Sequence, residues 1–374
     1  MAPTASTLST PSATLLSRLR TLLNKNLMNA RAINPRFLGL CLLTLMGITF
    51  VLSLALGAIK LPVSDVVAVL NLAIQGELDQ AQSLYPKTTA ILLHIRLPRT
   101  FAAILAGAAL ATAGVASQGL FRNPLASPDI LGISAGSSLG AVIAITAGWS
   151  MRHPLVIPVS AIMGAALTAA LVYFLALRKA MMQQLLFVIL SGLALSSLLT
   201  GAISATLLMA KQYEVSQYVF WTMGGLEGRL WAHVLWPAPA IVLVGLLLWR
   251  QAQALNLIAL GEENAHGMGL DVPRAQKFTL LGSALLTALA ISISGPIGFI
   301  GLMIPHLVRL FVGPDHRRLM PVSAIIGATF VMLADLIGRT IVAPHEIKVG
   351  IITALIGGSY FIFLIARIQQ RGQL

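Results

Sequence analysis

The sequence predicts an all-α polytopic membrane protein, a helical bundle of about ten transmembrane helices per protomer with both termini in the cytoplasm. Three observations carry this prediction. Of 374 residues, 57% are apolar and only 10% charged, whereas a soluble domain carries roughly 25% charged residues. Mean hydropathy is +0.87. Charge-free runs recur at lengths near the roughly 20 residues a helix needs to cross the hydrocarbon. The composition excludes an ordinary soluble enzyme, and it excludes a disordered chain, which would be polar and rich in charge.

Residues 1–36 are Ser/Thr-rich and then basic, with Arg18, Arg20, Lys25, Arg31 and Arg36. They read as a partly disordered cytoplasmic arm. The uncharged run over 38–59 has 22 residues, too long for a cleavable signal segment, so it reads as a true first span. Further charge-free runs occupy 100–121, 130–148, 154–177, 180–210, 230–249, 278–308, about 319–338 and 349–366. The run 278–308 exceeds one ordinary span and contains Ser294-Gly295-Pro296-Ile297-Gly298, which breaks helices. Splitting it into a span ending near Ser294 and a short one over Gly298 to Leu310 gives ten spans. Residues 37–368 then form a single transmembrane domain, and 369–374 a cytoplasmic tail.

With both termini inside, 16 of the 25 Lys and Arg residues fall on the cytoplasmic side and nine outside, in the sense of the positive-inside trend. The formal charge of +13 is spread between apolar runs and points to lipid headgroups and topology, not to nucleic acid. The single cysteine, Cys41, excludes an intrachain disulfide and a cysteine-based metal cluster. Small residues at every fourth position, Ala103/Gly107/Ala111 and Gly132/Gly136/Gly140, form ladders that let helices approach closely in lipid.

Four segments carry candidate function. Arg96-Leu97-Pro98-Arg99 places two arginines at the outer face; they either grip carboxylates of an acidic partner or snorkel to headgroups. Arg122-Asn123-Pro124-Leu125-Ala126-Ser127-Pro128-Asp129 marks a helix start, with Ser127 as N-cap and Pro128 at the first helical position. The loop 250–277 holds Gly261-Glu262-Glu263-Asn264-Ala265-His266-Gly267-Met268-Gly269, which suits a short helix fitting a partner's cleft or else a solvated connector. Asp335 and Arg339, four apart, form a local ion pair or leave Arg339 facing outward. His306 has no second His, Cys or carboxylate at ligand spacing, so no metal site is expected. No Walker A sequence, paired catalytic carboxylates or Gly-x-Ser-x-Gly nucleophile is present, so no enzymatic centre is expected.

Taken in order, these segments resemble the permease family of type II ABC importers, the FecCD type, which carries iron-siderophore complexes, heme or cobalamin. The resemblance rests on the motifs at 96–99 and 122–132, on Phe220-Trp221-Thr222-Met223-Gly224-Gly225-Leu226, and on Gly261-Glu262. It continues through Gly295-Pro296-Ile297-Gly298-Phe299-Ile300-Gly301-Leu302, Pro305-His306, Ala334-Asp335 and Gly350-Ile351-Ile352-Thr353, covering roughly 37–368. Met268 departs from the leucine more usual there, at similar volume.

The resemblance implies an inner-membrane permease that pairs with itself or with a similar chain. Two cytoplasmic ATP-binding subunits, which hold ATP and Mg, would lie below it, and a periplasmic or lipid-anchored substrate-binding protein above. No cofactor is expected on this chain. By resemblance, Arg96, Arg99 and Arg339 meet glutamates of the binding protein. Gly261, Glu262, Glu263, Ala265 and Gly269 form the segment that couples to the ATPase. Ser191, Ser196, Ser197 and Thr200 are candidates for the translocation pathway. A ferric siderophore is the first cargo, with heme and cobalamin as alternatives. From another class, an ion-coupled secondary transporter would require a carboxylate deep in the membrane.

Overall fold

The computed structural model describes residues 35–57, 59–176 and 181–370. The arm up to residue 34, Arg178 and Lys179, and the tail beyond residue 370 lie outside them. Fifteen helices and no strands follow in order among the described residues. They are α1 (Pro35–Ala55), α2 (Val63–Ile74), α3 (Leu78–Leu84), α4 (Pro86–Leu120, with a π turn at Leu92–Arg96), α5 (Ile133–Thr146) and α6 (Val156–Ala176). Then come α7 (Met181–Leu208), α8 (Gln212–Thr222), α9 (Trp231–Arg250), α10 (Ala252–Ala259) and α11 (Glu262–Gly267). The last are α12 (Val272–Ser294), α13 (Ile300–Val312), α14 (His316–Thr340) and α15 (Val349–Gln370).

Eight of these are long and apolar enough to cross a membrane: α1, α4, α6, α7, α9, α12, α14 and α15. The third and eighth spans of the sequence reading correspond to α5 and α13, which have only 14 and 13 residues. At 1.5 Å per residue each is about 20 Å long, short of the roughly 30 Å hydrocarbon. The causes are local. Ser127 does cap its segment, accepting from the Asp129 N–H, but it caps a 3₁₀ turn over Pro128–Leu131, and Gly132 at φ 72° separates that turn from α5. Likewise α12 ends at Ser294, Gly295 and Phe299 take φ of 68° and 69°, and α13 starts only at Ile300. The second span starts at Pro86 and the seventh at Val272, well before the first uncharged residue of each run, because charged residues continue the helices.

The helices sort by burial. α4 and α12 bury 78% and 72% of their most apolar window, α14 56%, whereas α1 and α7 bury 17% each. Three helices therefore form the protomer's core and the rest present apolar faces outward. Lipid supplies no hydrophobic drive between helices, so close backbone contact must hold them. Both small-residue ladders are such contacts. A Cβ on Gly107 would lie 2.3 Å from the Gly327 carbonyl oxygen of α14, and one on Gly136 would lie 2.6 Å from the Gly164 oxygen of α6. Gly140 faces Ser160 in the same way, and Gly114 meets the backbone of Gly301 in α13.

Gly107→Val should therefore force α4 and α14 apart and destabilise the bundle by about 1–3 kcal/mol or more. Gly47→Ala in α1, where nothing lies within 4 Å, should have little effect. Thermal unfolding of the purified variants in detergent compares them, and equal melting of the two would contradict the contact.

Candidate functional site

α4 connects two polar clusters. Its segment Leu97–Leu120 has 24 residues and separates the clusters by about 36 Å at 1.5 Å per residue.

The first cluster lies where α4 passes through its π turn. Arg96 closes that turn and Arg99 follows three residues later, so both guanidiniums face α1 and α14. Neither is presented at the surface: Arg96 is 4% exposed, Arg99 8% and Arg339 3%. Arg99 Nε donates to both oxygens of Asp335 at 2.9 and 3.0 Å, and its Nη2 lies 2.8 Å from Oδ1. Its Nη1 reaches Glu346, at 3.1 Å to Oε1 and 2.9 Å to Oε2. Asp335 is also shared with Arg339 of its own helix, 3.4 Å away. Arg339 Nη2 donates to the Ser53 carbonyl at 2.6 Å and to Ser53 Oγ at 2.7 Å. That hydroxyl lies 2.9 Å from Thr100 Oγ1.

Arg96 differs from the other two. It donates to the carbonyls of Leu54 and Ile59 and has no carboxylate partner. Gly57 leaves room for it, since a Cβ there would sit 3.0 Å from Arg96 Nη2. Three guanidiniums thus face two carboxylates, Asp335 and Glu346, and the cluster keeps a positive surplus. Its positive field extends outward: Glu227 is held below the usual carboxylate range by a hydrogen bond from Lys348 and, more weakly, by Arg99. A pocket opens onto the cluster between Gly57, Ile59, Ile95, Arg96, Arg339 and Glu346.

Asp335 and Arg339 do form the local ion pair that their spacing permits. Ser53, Gly57 and Glu346 were not anticipated. Glu346 had a signal, as the lone acid between α14 and α15.

The second cluster caps the other end. α11 begins after Gly261, whose φ of 108° is open to glycine. Glu262 Oε1 accepts from Gln276 Nε2 of α12 at 3.0 Å and lies 3.9 Å from Arg122 Nη2, just beyond α4. Ala265 is fully buried. Of the five residues assigned to coupling, Glu263 and Gly269 are exposed, Gly261 and Glu262 half-buried, and Ala265 serves to seat the helix. The outward ridge also contains Leu260, His266 and Met268, which the sequence reading did not single out as contacts.

The four hydroxyls of α7 do not share one face. Ser196 bonds back to the Gly192 carbonyl at 2.7 Å and packs toward Gly132. Ser191 lines a groove with Leu175, Leu190 and Ala194. Ser197 and Thr200 are exposed, and Thr200 donates to the Ser196 carbonyl at 2.8 Å. His306 is half-buried with its ring centroid 6.1 Å from that of Tyr360.

The model of the FecCD transport family matches residues 45–367. The hemin transport system permease protein of Yersinia pestis is 40% identical over 284 residues, 75% of this chain and 84% of that protein. The Fe(3+) dicitrate transport system permease protein FecD of Escherichia coli is 38% identical over 279 residues, 75% of this chain and 86% of that one. A solved ABC transporter of metal-chelate type, in an inward-facing conformation, superposes with a TM-score of 0.76 at 32% identity, covering 89% of this chain and all of the other.

Removing one member of a buried charge group costs roughly 3–5 kcal/mol, because its partners stay buried and uncompensated. Asp335→Asn should therefore lower the melting temperature strongly, and Glu346→Gln, at the cluster's half-exposed edge, much less. Similar melting of Asp335→Asn and the native chain would show that the arginines find other partners.

Proposed function

Because the chain belongs to the FecCD transport family, we propose that it imports ferric siderophores as the permease of an ATP-driven importer in the bacterial inner membrane. It is a multi-pass permease of the ABC importer type. ATP hydrolysis falls to two cytoplasmic ATP-binding subunits, which hold the ATP and Mg, and cargo arrives from a periplasmic or lipid-anchored binding protein. The permease pairs with itself or with a similar chain, both termini lie in the cytoplasm, and no cofactor resides on this chain.

The observation that carries docking is the positive surplus at Arg96, Arg99 and Arg339. A carboxylate entering the pocket beside Arg96 completes the charge balance, and a charge-assisted bond in a desolvated site is stronger than one in water. Arg99 and Arg339 act from behind, held in place by Asp335 and Glu346. At the opposite end, Gly261, Glu262, Glu263, Ala265 and Gly269 form the coupling segment. Glu262 and Ala265 fix α11 against α12, while Glu263 and Met268 offer contacts to the ATPase. The cycle needs two populated states of different affinity for the binding protein. Ser197 and Thr200, on the exposed face of α7, are the better pathway candidates; Ser191 and Ser196 bear on neighbouring helices.

Heme and cobalamin are the alternative cargoes, and 40% identity to a hemin permease against 41% to a cobalamin permease does not rank one above the other. A secondary transporter is disfavoured because Asp335 is clamped by two guanidiniums, which leaves it poorly placed to bind and release a driving ion.

Cells carrying this chain with its neighbouring ATPase and binding protein should take up radiolabelled ferric siderophore. Uptake should vanish when the ATPase's Walker lysine is replaced; uptake that survives would point to ion coupling. Uptake of heme alone would reassign the cargo.

In the reconstituted complex, Arg96→Gln should raise the binding-protein concentration for half-maximal ATPase stimulation about tenfold or more, since a hydrogen bond to a charged group is worth roughly 1.5–3 kcal/mol. Arg96→Lys should recover part of it. An unchanged concentration for Arg96→Gln would remove Arg96 from the docking site.

A further inference from the structure

A cleft of about 510 Å³ opens between α4, α9, α12 and α14, and none of its lining residues belongs to either polar cluster. Its floor is made of small residues of α4, Ala108 and Ala109, and its α9 wall carries Val242, Leu246 and Trp249 at helical spacing. Gly245, between them, has nothing within 4 Å of where its Cβ would stand. Thr112 brings the one side-chain hydroxyl to this lining. Both α9 and α14 are membrane-spanning by length and composition, so the cleft lies at the depth of lipid chains.

What separates it from ordinary lipid-facing surface is its mouth. Trp249 Nε1 donates to the Arg317 carbonyl at 3.0 Å, fixing the start of α14 beside the end of α9. Arg250 follows Trp249 directly, and Arg317 stands one turn before Pro321, another wall residue. Arg250, Arg317 and Arg318 are all exposed. The one acid among them, Asp315, is occupied by Asn256 Nδ2 at 2.7 Å and by the Arg317 N–H at 3.1 Å. The Arg317 guanidinium rests on Gln253 Oε1. An apolar slot one chain wide thus ends in a tryptophan and a net-cationic rim.

We propose that this cleft is a binding site for an anionic phospholipid. One acyl chain lies along Ala108, Gly245 and Leu246, and the phosphate is held by Arg250, Arg317 and Arg318. The chemistry fits each part. Basic side chains at the rim of an interhelical pocket attract anionic headgroups, tryptophan sits at the boundary between chains and headgroups, and a concave apolar wall holds one chain where flat surface exchanges many. The occupied cleft would bridge α4, α9 and α14 at the end that also bears α11.

The test is quenching of Trp249, read as the difference between the native chain and Trp249→Phe in lipid nanodiscs. The nanodiscs contain phosphatidylcholine with a minor share of brominated phosphatidylglycerol or brominated phosphatidylcholine. Brominated phosphatidylglycerol should quench more strongly. Its relative affinity should fall roughly fivefold for each of Arg250→Gln and Arg318→Gln, from about 1 kcal/mol per arginine near an anionic headgroup. Gly245→Leu, whose Cβ enters open space on the cleft wall, should abolish the preference while the arginines remain. Equal quenching by the two lipids would overturn the proposal, as would a preference untouched by Gly245→Leu, which would place the lipid on the open annulus. Exclusion of both lipids as the protein-to-lipid ratio rises would place a second copy in the cleft and overturn it too.

Discussion

A carboxylate buried between two guanidiniums organises one end of this molecule. Asp335 is 1% exposed and lies within reach of Arg99 and Arg339. Each of the three groups would be costly to bury alone, because taking an ion out of water costs several kcal/mol unless a partner compensates it. Together they tie α14 to α4, and through Ser53 they tie both to α1. Glu346 brings in the segment leading to α15. Four pieces of chain, drawn from three regions distant in sequence, are thereby fixed by one charge network. The network is not neutral, and the surplus rests on Arg96, the member bonded only to backbone carbonyls.

Away from this end, contact between backbones takes over. Gly107 against Gly327 and Gly114 against Gly301 hold α4 to α14 and α13 at distances that leave no space for a side chain. Such contacts do not deform gradually, since packed interiors resist intermediate arrangements. The two modes of attachment are complementary. Ion pairs set orientation at the rim, and glycine contacts set the spacing in the apolar interior, where charge would be costly.

Much of this was legible in the sequence, and the failures have physical causes. Uncharged runs located all eight long helices, and Gly295-Pro296 marked the break between α12 and α13. Reading a charge as the end of a span failed at Arg96 and Arg99, because a helix continues through an arginine whose guanidinium finds hydrogen-bond acceptors, backbone carbonyls for Arg96 and carboxylates for Arg99. The start of α4 was misplaced for that reason. α5 was taken as a full span because hydropathy counts apolar residues and is blind to the φ of Gly132 that shortens it, whereas α13, read as a short span from Gly298, starts two residues later because Phe299 takes a positive φ. The loop assigned to coupling was chosen by its polarity, but polarity alone does not separate Ala265, which seats α11, from Met268, which faces out. The α7 hydroxyls were chosen by residue type, and a helix distributes residues at 191, 196, 197 and 200 over different faces.

The two polar ends meet through α4, and this bears on how such a molecule can move. α4 carries Arg96 and Arg99 at one end and leads at the other to Arg122, which faces Glu262 at the start of α11. A change in the charge balance at the arginine end acts on a helix whose middle is locked to α14 by glycine contacts. That helix cannot slide along its axis without bringing Gly107 into collision with α14. α4 and α14 are thereby held as one unit, and α11 is attached to the core helices through Gln276 and Arg122. Glu262 is joined to both α12 and the end of α4, so displacement of either core helix reaches α11 directly. The same contacts that give the molecule its rigidity therefore also join its two polar ends.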